Sequence, residues 1–222
     1  MIKQGGQHKL HFEEGIFLSF DIEDLDNEKK DILGEIVNIG VGNAVTALSK
    51  LIGKKVSVSV PKVKLMNFDE ISRLLGEEDT QVVGILLGIS GDISGYIMFV
   101  MEKKASKVLV DYLMKRQPKE DEGFSEMDLS ALNELGNILA GSYLSALATM
   151  TNLKIISSTP SIAIDMAGAV LGFTAIQFGL IGDKVLYLGT ELKESSTSVK
   201  GDFFLVPELD SYEKLLKALG VN

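Results

Sequence analysis

Asp31, Glu35, Asn38 and Pro61 recur as Ser130, Glu134, Asn137 and Pro160, each member displaced by 99 residues. Aligned without gaps, residues 31–61 and 130–160 agree at ten of 31 positions, including Leu33/Leu132, Ile39/Ile138, Gly42/Gly141, Leu48/Leu147 and Lys55/Lys154. Ordinary residue frequencies would give roughly two agreements. The chain reads as a tandem duplication, which limits its architecture more than any other feature. Two copies of one helix, strand and hairpin unit cannot each cover both faces of a sheet. The expected fold is therefore α/β: one internally duplicated domain with pseudo-twofold symmetry, in which a shared β-sheet carries two long paired helices bearing the motifs. On this reading residues 1–27 are an extension of unassigned role, and residues 28–222 form the domain from repeats 28–116 and 124–222.

Apolar residues fill most positions from Glu28 to Ile52 and Gly53 follows, which predicts a long, largely buried helix. Val56, Val58 and Val60 alternate with polar residues, as a strand would, and Pro61 ends the run. Asn67 to Leu75 reads as a short helix. Residues 82–90 and 93–101 read as a hairpin across Gly91 and Asp92, and 103–116 as an amphipathic helix. The charged stretch 117–123, with Pro118, is a linker. Beyond it the order restarts. Ser125 and Asp128 resemble a capping pair, a second long helix runs to about Met150, a strand covers 154–158, and Pro160 punctuates it. Residues 173–181 and 184–190 read as the second hairpin across Gly182 and Asp183, which would make the second copy eight residues shorter at this point. A Ser-rich loop at 194–200, a strand at 203–206 and a helix at 211–219 complete the expectation.

The formal charge of −9 argues against nucleic acid or an anionic membrane as partner, since both are bound through clustered Lys and Arg. There is no Cys, and His8 and His11 are the only histidines, so thiol and imidazole chemistry have almost no residues to work with. No run approaches the ~20 apolar residues of a membrane span, and a cytoplasmic location without membrane insertion is expected.

With the helix advancing by about 100° per residue, Glu35, Asn38, Gly42 and Ser49 all fall within roughly 40° of Asp31. Ser130, Glu134, Asn137 and Gly141 repeat the layout on the second helix. This predicts a thin polar line on each helix carrying a carboxylate, a carboxamide and a glycine. A face needed only for solubility would carry Lys, Glu or Gln, which favour helix more than Asn does. Nor would it keep Glu and Asn at the same spacing while Gly40/Leu139 and Asn43/Ser142 diverged. The two glycines suit close approach of a partner or helix packing equally well.

The doubled pattern, Asp31 or Ser130, then Glu35 or Glu134, Asn38 or Asn137, and Pro61 or Pro160 at identical spacing, resembles the signature of the CheC-type phosphatases of chemotaxis, a family that includes CheX and FliY. The resemblance covers residues 28–220. Two motifs and no room for a large C-terminal domain place it nearest CheC. The family implies removal of phosphate from the response regulator CheY, with Glu35 and Asn38 forming one catalytic site and Glu134 and Asn137 the other. Asp31, Pro61, Ser130 and Pro160 fill supporting positions. It also implies a second partner, the receptor deamidase CheD, and no cofactor of the chain's own, the Mg belonging to the regulator.

Asn suits such chemistry because its amide can orient one water, while Glu one turn away can pair with a Lys on the regulator. A Glu-x-x-His metal site fails because Asn replaces His in both copies. Paired glycosidase carboxylates need unlike surroundings, which near-identical repeats do not offer. Gly40-x-Gly42 lies within a helix and lacks the third glycine of a dinucleotide loop. The remaining alternative is a non-enzymatic binding module, a switch component or adaptor for CheY or CheD, using the same faces.

Overall fold

The computed structural model describes residues 27–53, 56–58, 62–67, 80–117, 123–170, 172, 184–194 and 197–220. Helix α1 (Asn27–Ile52) is followed by strands β1 (Val56–Val58), β2 (Lys62–Asn67), β3 (Gln81–Gly91) and β4 (Gly95–Glu102), then helix α2 (Lys103–Leu113). The second half repeats this order with α3 (Glu126–Thr151), β5 (Ile155–Ser157), β6 (Ser161–Met166), β7 (Lys184–Glu194), β8 (Thr197–Pro207) and α4 (Leu209–Ala218). The long helices stop by the same device, a left-handed residue: Gly53 (φ 71°) after α1 and Asn152 (φ 55°), its counterpart, after α3.

All eight strands form one antiparallel sheet in the order β1-β7-β8-β4-β3-β5, with β2 also on β7 and β6 also on β3. The copies are thus interleaved: the short strands of each half pair with the hairpin of the other. Their registers repeat. Val58 pairs with Leu192 and Ser157 with Ile89; Lys62 pairs with Gly189 and Ser161 with Leu86. The short strands step by 99 between copies, and β3 to β7 by 103. In the central pair, β4 on β8, Phe99 lies directly opposite Phe203, and the pseudo-twofold axis passes between them.

Four sequence expectations change here. Residues 184–190 do not pair with 173–181, because both edges of β7 are taken, one by β8 and the other by β1 and β2. The second hairpin is β7–β8, which absorbs most of the supposed loop at 194–200 and the strand at 203–206. The second copy is accordingly four residues longer before its hairpin, not eight shorter. Lys62–Asn67 is a strand, so Asn67 ends β2 and does not open a helix; residues 68–79, 118–122, 173–183 and the extension 1–26 lie outside the described residues.

Central strands alternate between two apolar layers. Ile97, Phe99, Met101, Phe203 and Leu205 join the core beneath the helices, while Met98, Val100, Phe204 and Val206 lie on the opposite face. Because Phe99 and Phe203 share a face, the axis is perpendicular to the sheet, and α1 and α3 cross it in opposite directions. Their contact depends on size asymmetry. Gly40 and Ala44 on α1 meet Leu139 and Tyr143 on α3, and a Cβ on Gly40 would come within 2.6 Å of the Tyr143 ring. That ring stacks at a tilt 5.0 Å from Phe203, itself 6.3 Å from Phe99.

The start of α3 is held by charge. Ser125 caps the helix and Asp128 completes a capping box. The buried Asp128 carboxylate also accepts from Lys107 Nζ on α2 at 2.9 Å and from Arg116 at 2.5 Å, and Arg116 reaches Asp111 at 2.7 Å. Burial alone would push the pKa of Asp128 up. The hydrogen bonds from Lys107, Ser125 and Arg116 outweigh it and hold the carboxyl well below the usual carboxylate range. A group depressed in this way stabilises fully above its unfolded value of about 4 and loses that contribution as pH falls. Asp128→Asn is expected to cost about 3 kcal/mol in urea unfolding at neutral pH, because it leaves the buried Lys107 only the more distant carboxylate of Asp111, 3.7 Å away, in place of the one at 2.9 Å. The gap between wild type and variant should narrow below about pH 4.

Candidate functional site

Both motif pairs are presented to solvent. Glu35 and Asn38 on α1 are exposed, as are Ser130, Glu134 and Asn137 on α3. Only the backbone is described for Asp31, and Pro61 lies outside the described residues. Asn38 stands two residues from Gly40, the point of contact with α3, and two residues turn an α-helix through about 200°. The same holds for Asn137 and Leu139. Each Asn therefore sits on the flank away from the helix crossing, and the two sites open on opposite sides of the helix pair.

Local packing stiffens α3 behind its site. On α3, Leu132, Leu135 and Leu139 are buried, and Gly136 lets the helix settle onto the sheet, since a Cβ there would come within 2.6 Å of Ile85 and 3.4 Å of Pro160. Pro160 thus lies beneath the residue next to Asn137. It supports the helix where the amide projects. Ser158, on the approach to Pro160, is pinned by a bond from the Gly88 amide at 2.9 Å. Asp92 in the β3–β4 turn accepts from the Lys154 amide at 2.7 Å, and Gly91 (φ 119°) allows the approach, since a side chain there would press on the Lys154 carbonyl. Ser130 donates its hydroxyl to the Glu126 carbonyl at 3.0 Å, so it closes on its own helix.

The polar face is wider than a thin line. On α1, Asn43, Thr46 and Lys50 are exposed and Ile39 is 38% exposed, so from Glu35 to Lys50 the open arc spans about 140°. The sequence pattern understated it because apolar residues on a half-covered helix were all assigned inward. Gly42 and Gly141 are not packing glycines: a Cβ at either meets nothing within 4 Å among the described residues. The helix glycines that packing does require are Gly40 and Gly136, which no period or motif distinguished. The Lys107–Asp128–Arg116–Asp111 cluster also went unseen, although Ser125-x-x-Asp128 marked one end of it.

A profile of the CheC-like family matches residues 28–65 and 127–164, the two helix-to-Pro segments. The CheY-P phosphatase CheC of Bacillus subtilis is 37% identical over 199 residues, covering 88% of this chain and 95% of that protein. The chain belongs to the CheC-like family. Its enzyme class, a phosphatase, is that of this relative. The crystal structure of Thermotoga maritima FliY shares the fold with a TM-score of 0.72, at 23% identity over 89% of this chain and 98% of that one. So does CheX in its complex with CheY, BeF3 and Mg from Borrelia burgdorferi, with a TM-score of 0.54 at 15% identity over 78% of this chain and 97% of that one. No helix among the described residues is long and apolar enough to cross a membrane.

Open space at Gly42 and Gly141 leaves a partner's approach as the role to test. Gly42→Ala with Gly141→Ala should raise stability by up to about 1 kcal/mol per site, as expected for Ala at an unobstructed helix position. If the glycines serve a partner's approach, the stabilised protein should lose phosphatase activity; thermal melting and phosphate release on the same samples check both.

Proposed function

We propose that the chain dephosphorylates a phosphorylated CheY-like response regulator, with Asn38 and Asn137 each ordering the attacking water and Glu35 and Glu134 docking the regulator. The observation that carries this is the exposed Glu and Asn, three residues apart, on the same outward flank of both long helices. The name of the Bacillus relative, a CheY-P phosphatase, supports the substrate.

In this reading the regulator brings an acyl phosphate on Asp, already neutralised in part by its own metal ion and Lys. Phosphoryl transfer through a loose transition state asks mainly for positioning and charge stabilisation. A carboxamide offers one acceptor and two donors on a short side chain. Inserted beside the phosphate, it holds a water in line with the scissile bond, with the entropy of that placement already spent in folding the helix. Glu one turn earlier pairs with the regulator's Lys and sets the register. The carboxylate thus addresses the cation beside the phosphate, which reconciles an acidic protein with an anionic substrate. The chain contributes no cofactor of its own; the Mg stays with the regulator.

Asn38→Ala combined with Asn137→Ala is expected to reduce accelerated phosphate release from the purified, phosphorylated regulator to its intrinsic rate while leaving complex formation largely intact. Each single variant should retain the activity of the other site. Glu35→Lys or Glu134→Lys should instead weaken docking, raising KM at the affected site through repulsion of the regulator's Lys. An adaptor without activity would show no acceleration even unsubstituted.

A further inference from the structure

We propose that Met127 is an apolar docking contact for the phosphorylated regulator at the α3 site, giving the two sites different means of holding their guest. This rests on the reading of the site above. Met127 is 61% exposed, the highest value for any large apolar side chain among the described residues. A single exposed Met is ordinary; its position is what distinguishes this one. It precedes Glu134 by seven residues, which places it within about 20° of that carboxylate around the helix and about 10 Å along it. Met127, Glu134 and Asn137 thus share one exposed flank, within about 80° around the helix and about 15 Å along it, continuous with the proposed interface.

Nor is Met127 on a fraying end. The neighbouring Asp128 is buried in hydrogen bonds to Lys107 and Arg116, and Ser125 caps the same turn, so the backbone beneath the exposed thioether is fixed. A flexible, polarizable side chain on a fixed backbone suits adaptable apolar contact. In the first repeat the corresponding positions are Glu28, Asp31 and Glu35, where the second has Met127, Ser130 and Glu134. The α1 line is wholly acidic in sequence, whereas the α3 line exchanges two of its three acids for an apolar and a small residue. The occupant consistent with this is the regulator surface beside its phosphorylated Asp, with an apolar side chain lying one to two helical turns from the Lys that Glu134 meets.

The test uses the full-length chain carrying Asn38→Ala, so that hydrolysis comes from the α3 site, and the receiver domain of the cognate regulator phosphorylated with acetyl phosphate. Adding Met127→Ser should raise KM for the phosphorylated receiver about tenfold with kcat changed less than twofold, as expected for loss of an apolar contact made equally in ground and transition states. Met127→Leu should keep KM within twofold. Thermal melting should be unchanged in both, since the side chain is exposed. A KM for Met127→Ser within twofold of that for Met127 overturns the inference. Absence of acceleration by the unsubstituted chain would overturn the reading of the site itself, and the inference with it.

Discussion

The antiparallel meeting of β4 and β8 at Phe99 and Phe203 is the constraint on which the remainder of this molecule depends. It joins the two repeats through central backbone hydrogen bonds, and the aromatic side chains rising from it form the floor on which Tyr143 and the crossing helices rest. Because the axis stands perpendicular to the sheet, any feature placed on α1 reappears on α3 facing the other way. Two outward sites on opposite flanks are a geometric consequence of that axis.

Duplication also explains why neither half closes its own sheet. The short strands β1 and β2 complete the sheet around β7, and β5 and β6 do so around β3. Each repeat supplies edges for the other's hairpin, so the helices are held over a sheet to which both copies contribute. The symmetry is broken where close packing demands it: two bulky residues cannot occupy the same crossing, so Gly40 and Ala44 on one helix accommodate Leu139 and Tyr143 on the other. A second break lies at the start of α3, where the buried ion cluster ties that helix to α2. The position of Asp128 is taken by Lys29 in the first copy, so the sequence there does not repeat the anchor.

For the proposed chemistry, rigidity is the protein's contribution. An Asn that orders water must be held within a fraction of an ångström, and a helix seated on a sheet through Gly136, Leu132 and Leu135 provides that more dependably than a loop. Pro160, beyond the strand that follows α3, returns beneath the helix at the very turn that bears the Asn137 amide, which gives the motif's last residue a mechanical role. Catalytic groups on stiff elements leave selectivity to the surrounding surface, and there the copies differ in kind: Met127 against Glu28, Ser130 against Asp31.

Local pattern was a reliable guide where one residue type has one physical use. The long helices, the glycine stop after the first, the capping pair at Ser125 and Asp128 and the first hairpin all follow from periodicity and turn chemistry among residues close in sequence. The paired motifs were legible for the same reason, because duplication displays spacing twice. Pairing between distant strands was not legible. The run 184–190 is largely apolar in sequence, so it offered no sign of which neighbour it would take, and Gly182-Asp183 imitated the earlier turn. Strands β2 and β6 were hidden behind prolines that mark their approach. Which glycine packs and which lies open, and which apolar residue stays in water, depended on what another helix brought to the same place. By itself the sequence determined most of the elements, their duplication and the spacing of the candidate site residues, since these are encoded within a turn or two of chain. Only the tertiary structure decided the interleaved sheet, the packing role of Gly40 and the exposure of Met127, because those follow from contacts between residues far apart in the chain.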